Sequence, residues 1–327
     1  MARSLLIAAL LFTLQACSLD DQPDHSFSAS VQGIFSAVYS ADASHTVIGS
    51  IQHGASLWDT ANAERLFNWN HQEDSFSQIT AAGFSPEGDF ALTSDGMTLV
   101  LWDVATGTAL RFFQVPDEVL HLALSPRANT ALLGLVSGNA VLFDVQNGGI
   151  IRQMEQGSRI LSMAMSANGE YGLFGLDDNH AKFWNLRNSE LVNTINTQGR
   201  VQTVALSDDG KYGLVTVQHL DAEVWNLETH SLHSRLNYSN RFFPSFSSFV
   251  TARFSKDGEK IITGNTTGAL ELWSGDSGKR IERWVTPIKG GFKPQVFSVV
   301  AVALDEESAT ASAITSAGTA YRYNLEK

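Results

Sequence analysis

The sequence predicts an all-β chain: a seven-bladed β-propeller of four-stranded antiparallel blades, its ring closed by an N-terminal strand. Three observations carry this reading. First, an aromatic residue set among β-formers and followed by Asp, Asn or Ser or their like recurs at Leu57-Trp58-Asp59, Leu101-Trp102-Asp103, Leu142-Phe143-Asp144, Phe183-Trp184-Asn185, Val224-Trp225-Asn226, Leu272-Trp273-Ser274 and Arg322-Tyr323-Asn324. The spacings are 44, 41, 41, 41, 48 and 50 residues. Second, a marker ending in Ser or Asp keeps the same register: Tyr39-Ser40, Phe84-Ser85, Leu124-Ser125, Met165-Ser166, Leu206-Ser207, Phe254-Ser255 and Leu304-Asp305. Third, turn signals such as Ala167-Asn168-Gly169 and Lys256-Asp257-Gly258 follow that marker. Two independent markers in one register are the signature of a repeat architecture.

Within a repeat the pattern is four short β-type runs. In the fourth they fall at 161–165, 171–176, 181–184 and 191–195. No long segment has helical periodicity with caps. Four strands every 41–50 residues make one propeller blade. After the last marker aromatic, Tyr323, only four residues remain, so the seventh repeat lacks its outer strand. The β-like piece at 26–30, ahead of the first repeat, is left to fill that place. Closure of this kind removes open sheet edges.

On these markers the chain resembles the WD40 β-propellers over roughly residues 24–327. It departs from them in having no Gly-His dipeptide, so the His–Asp–Ser/Thr–Trp network of that family is expected to be largely missing. His71 and Asp95 are candidates for a partial version in the second blade. Packing between blades must then depend mostly on apolar contact. Two residues before the Ser/Asp marker stand Val38, Gly83, Ala123, Ala164, Ala205, Arg253 and Ala303, which suits an innermost strand where blades converge. Arg253 is the one charge among them. It either presents an anion-binding guanidinium at the channel mouth or extends its apolar stem into a water-filled channel.

The N-terminus carries an address. Residues 1–16 read as a signal peptide of lipoprotein type: Arg3 gives a basic start and residues 5–14 an apolar run. A bilayer crossing needs about 20 residues. The run ends in Leu14-Gln15-Ala16-Cys17, which resembles a bacterial lipobox, and Cys17 is the only cysteine of the chain. Residues 17–23 are then the lipidated cysteine and a tether, and 24–327 the propeller. Acyl chains on Cys17 are the expected link to the membrane. Ser18 stands where Asp would be the inner-membrane retention signal of such lipoproteins, which favours the outer membrane, facing the periplasm.

Composition narrows the function. The formal charge is −12, which argues against nucleic acid as a partner. One cysteine excludes a disulfide framework, a cysteine zinc site and a C-x-x-C pair. No catalytic motif stands out, and no metal or cofactor is expected. His230 and His233 form H-x-x-H and Asp177, Asp178 and His180 a polar turn; both read as solvated turns ahead of metal sites.

The long intervals are more telling. They place extra residues between an outer strand and the next inner strand at 237–249 (NYSNRFFPSFSSF) and 286–298 (TPIKGGFKPQVFS), connections that lie on one face in a WD40 propeller. Arg241, Phe242, Phe243, Phe246, Lys289, Phe292 and Lys293 are the candidate partner-binding residues, since aromatics and Arg dominate protein hot spots. Some of these rings are equally expected to cap blade ends, and Phe249 to begin an inner strand. The expected function is a non-enzymatic, lipid-anchored, monomeric scaffold that binds unknown protein at the bacterial cell envelope. The alternative is a quinoprotein-like cofactor-binding propeller enzyme, suggested by Asp103-Val104-Ala105-Thr106-Gly107 and Asp276-Ser277-Gly278-Lys279. The Trp-Asp order and the lack of an acid cluster for a calcium-bound quinone speak against it.

Overall fold

The computed structural model describes residues 22–72, 76–218, 222–236, 247–287 and 295–325. Among them the fold is all-β: seven four-stranded antiparallel sheets and no α-helix, with a single 3-10 turn at Pro126–Ala128. No helix of the described residues is long and apolar enough to cross a membrane. The expected fourth-blade runs fall on the strands Ile160–Met165, Tyr171–Leu176, His180–Asn185 and Glu190–Asn196. Each blade runs from an inner strand at the axis to an outer strand at the rim. Phe249 opens the inner strand of blade six, Phe249–Phe254, and is buried.

Strand patterning follows from each strand's place in the blade. Second and third strands are sandwiched between neighbouring blades and buried on both faces. Hence they read as runs such as Thr-Ala-Leu-Leu-Gly-Leu at Thr130–Leu135, not as alternations. The outer strand of the same blade, Ile150–Glu155, exposes every residue but Met154. Among the described residues there are seven apolar clusters, each joining one blade to the next. Blades one and two meet through Val47, Leu57, Trp69, Val100 and Trp102, and blades six and seven through Ile262, Trp284, Val302, Tyr321 and Tyr323. The ring therefore has no single core; it is held by seven equivalent seams.

The two sequence markers have distinct mechanical jobs. The Ser marker ends the inner strand and folds the following turn. Its hydroxyl donates to the turn acid or amide, Ser40 to Asp42 at 2.6 Å and Ser166 to Asn168 at 2.6 Å. It also accepts the N–H five residues on, as from Tyr171 to Ser166 at 3.0 Å and from Lys260 to Ser255 at 2.8 Å. The aromatic marker sits at a register shift between third and outer strands in blades one to six, for example between Leu57 and Trp58. The Asp or Asn after it caps the next turn: Asp103 accepts from the N–H of Thr106 at 2.8 Å. The Asp103–Gly107 motif is thus explained by turn chemistry. So is that of blade six, where Gly278 has φ +64° and a Cβ would meet the Arg235 carbonyl oxygen at 1.8 Å.

The expected polar network is present in reduced form. In blade two, His71 Nε2 shares a 2.8 Å hydrogen bond with the Thr93 hydroxyl, which accepts from Trp102 Nε1 at 2.8 Å. Asp95 takes no part, since His71 Nδ1 is buried without a partner. Blade four replaces the histidine by Gln156, whose Oε1 accepts from Trp184 Nε1 at 3.1 Å. Trp273 bonds Thr263 at 2.9 Å and Trp58 bonds Ser56 at 2.8 Å.

The ring is closed by the N-terminal strand His25–Ser28, paired antiparallel with Thr319–Asn324. This is one residue earlier at its start than the expected 26–30. Ala29 and Ser30 follow it, both donating to the Gly318 carbonyl. Asp24 adds a pin at the other end: its N–H donates to the Arg322 carbonyl at 2.9 Å and its carboxylate accepts from the Asn324 N–H at 2.7 Å.

Candidate functional site: the channel and the two faces

Because strands alternate in direction, the first and third turns of every blade lie on one face of the ring. The second turn and the connection between blades lie on the other. Hydrogen bonds tie the paired turns together, as Val104 N–H to Asp89 on the first face and Val136 N–H to Glu118 on the second. Between the faces the seven inner strands enclose the axis. Their small residues leave a cavity of about 330 Å³ toward the first face and one of about 250 Å³ toward the second. Both are bounded by Ala37, Ala82, Leu122, Met163 and Val300, an apolar waist.

Arg253 reaches from the inner strand of blade six to the Ser40 carbonyl of blade one, donating from a guanidinium nitrogen at 2.9 Å. Burial lowers its pKa, against which Asp208 and then Asp42 act. Asp208 is held above the usual carboxylate range by burial, opposed by Arg253 and Lys256. Burial also pushes Asp42 up, but hydrogen bonds from Ser40 and Ser44 outweigh it and leave its carboxyl low. A cation already bonded to a carbonyl and faced by two carboxylates is a poor anion receptor. Of the two expectations for Arg253, the geometry supports the structural one: a clasp across the inner end of the closing blade.

The polar turns are similarly committed. His233 Nε2 lies 3.0 Å from Asp276 Oδ1 of blade six, while His230 occupies the preceding turn at φ +54°. Asp177 pairs with Arg200, and Asp178 lies 3.1 Å from His180. Among the described residues no three His, Cys, Asp or Glu side chains cluster as metal ligands would.

Cys17 and the candidate contacts Arg241, Phe242, Phe243, Phe246, Lys289, Phe292 and Lys293 lie outside the described residues. The two long connections leave and rejoin the ring on the second face, after the outer strands Ser231–Leu236 and Arg280–Val285. That face has a further property the repeat register did not reveal. Exposed large apolar residues crowd it: Val31 at 91% exposure, Phe76 at 68%, and Phe35, Ile51, Met97, Val136 and Val296. Phe76 packs edge-on against His53 at 5.7 Å. Among the described residues every other exposed large hydrophobic residue lies on an outer strand, such as Phe112 and Ile281. Among the described residues the first face has none; its turns carry exposed Asp42, Glu87, Asp209, Glu228, Asp257 and Glu307. A signal was available in the sequence, in Ile51, Met97 and Val136, which are large apolar residues at hairpin tips within three positions of a glycine.

Comparison with known proteins adds the fold and no more. No family model matches the chain, and no curated protein matches it. Among solved structures, the β-propeller domain of Myceliophteria thermophila Cps50 (Swd1) superposes with a TM-score of 0.75 at 15% identity, covering 92% of this chain and 98% of that one. In all, 1913 solved chains match, so the likeness singles out no activity.

Proposed function

We propose that this chain is a lipid-anchored, non-enzymatic WD40-like scaffold of the bacterial envelope that holds a protein partner on its second, apolar face. The observation that carries the reading is the segregation of exposed side chains. Exposed apolar surface marks an interaction site in soluble proteins, and among the described residues one face of the ring carries seven exposed large apolar side chains while the turns of the other carry none and are rich in acids. The segments bearing Arg241, Phe242, Phe243, Phe246, Lys289, Phe292 and Lys293 rejoin the ring on that face, and we assign these residues to the same contact. The perturbed groups at the channel mouth are engaged with one another, which favours a scaffold over an enzyme. The lipobox-like Leu14-Gln15-Ala16-Cys17 supports anchoring through Cys17 and a place at the outer membrane, facing the periplasm.

A photo-crosslinking side chain placed at Phe76 or Val136 is expected to give a discrete protein adduct in living cells, and one at Glu228 none. Replacing Phe76 and Val136 together by Ser is expected to weaken that adduct and to leave stability within about 0.5 kcal/mol, as for other exposed sites. Equal adducts from both faces would refute the assignment of the face. For the anchor, labelled palmitate is expected in the parent chain and absent from the Cys17→Ala chain. Label in the variant would refute acylation at Cys17.

A further inference from the structure

We infer that the anchor holds the ring with its acidic face toward the bilayer and its apolar face turned away from it, open to a partner in the aqueous space. The inference rests on the lipid-anchor reading above and deepens it. Its basis is where the chain enters the fold. His25 pairs with Arg322 and Ser28 with Thr319, so the closing strand starts at the acidic face and ends at the apolar one. Asp24 fixes that start, through its own N–H to Arg322 and its carboxylate to the N–H of Asn324. The tether therefore departs from the acidic face at the rim of blade seven.

Chain length then limits the alternatives. Asp24 lies seven positions after Cys17, with six residues between them, and seven fully extended steps span about 25 Å at most. The closing blade's strands are six or seven residues long where they span its depth, about 20 Å at the rise of a strand, before the turns at either end are counted. A tether leaving the acidic face would be used up along the rim before the apolar face could lie against headgroups. Val31, the most exposed apolar residue described, follows the closing strand and so stands at the far end of that rim. The acidic face offers no attraction to an anionic leaflet, so the covalent geometry alone sets this orientation.

The acylated mature chain, beginning at Cys17, tests this in phosphatidylcholine vesicles carrying a nitroxide headgroup lipid. Acylation occupies the only native thiol, so Val31→Cys and Glu307→Cys each give one labelling site for a fluorophore, on opposite faces near blade seven. Both positions are exposed, and melting curves check that both variants fold. The nitroxide is expected to quench the fluorophore at Glu307→Cys several-fold more than at Val31→Cys. Equal quenching, or stronger quenching at Val31→Cys, in a chain that incorporates labelled palmitate overturns the orientation and leaves the anchor standing. Failure of the parent chain to incorporate palmitate overturns both.

Discussion

Deleting residues 25–30 is expected to lower the melting temperature by about 10 °C, the size of a loss of about 6 kcal/mol in a domain of this length. The strand His25–Ser28 contributes the fourth ladder of blade seven, and without it Thr319–Asn324 becomes an open edge. Its side chains also form the seam to blade one. Phe27 stacks on Trp58 at 5.1 Å, and Ala29 is buried beside Tyr39, Trp58 and Ala320. Removing an aromatic from such a seam costs about 3 kcal/mol before any loss of pairing is counted. Phe27→Ala separates the two contributions, since it keeps the ladder and removes the stack. It is expected to give part of the loss, measured by thermal melting under the same conditions. A deletion variant that melts within about 1 °C of the parent, a shift worth well under 1 kcal/mol, would mean that the seventh seam holds without the strand. Arg253, clasping blade six to Ser40 across that same blade, would then be the first contact to remove.

The fold was legible because the markers do mechanical work in every blade. A serine that accepts the N–H five residues on cannot be exchanged freely, and an aromatic at the register shift before a capped turn cannot move without shifting that turn. Such constraints keep a repeat visible in sequence. The closing strand was legible by elimination, although its start at His25 was not, because Asp24 and His25 are placed by partners some 300 positions away. Gln156 was not legible either. Nothing in Glu155-Gln156-Gly157 marks it as the acceptor for Trp184, a role that in blade two falls to Thr93, with His71 one hydrogen bond further on.

The candidate site was legible in part for a different reason. The long connections announced themselves by length and aromatic content. The exposed apolar residues of the same face come singly from blades one to three and from the connections before blades one, two and seven, with no shared motif. Only the alternation of strand direction, applied to each turn in succession, places Ile51, Met97 and Val136 on the same face as Phe76. Arg253 shows the converse. It was conspicuous as the one charge among small inner-strand residues, yet its role depended on an unremarkable partner, the main-chain carbonyl of Ser40.

Between neutral pH and pH 4 the parent protein is expected to lose stability through His71, and the His71→Gln variant is expected to lose markedly less. Burial lowers the His71 pKa from 6.5 to about 4. The folded state therefore binds fewer protons than the unfolded state between those values, and stability falls as pH drops from about 6.5 toward 4. A displacement of that size is worth about 3 kcal/mol once pH 4 is reached, and nothing above pH 6.5. His121, also lowered by burial, adds a slope of the same sign. Glu271, raised by burial against the pull of Arg280 and Arg283, adds one of opposite sign. Both are common to parent and variant, so the difference between the two curves isolates His71. Glutamine is the informative replacement because blade four already uses it. Gln156 stands there in the histidine's place and accepts directly from Trp184 at 3.1 Å, so a group that does not titrate is able to hold that position. Near pH 7 the variant is expected to stay within about 1 kcal/mol of the parent, its amide meeting the Thr93 hydroxyl that Trp102 also bonds. Denaturant unfolding across the pH range gives both curves. Parallel curves would place the acid sensitivity elsewhere and would show that His71 is already relieved of its burial, as it would be if the blade-two connection opens to water before the ring unfolds.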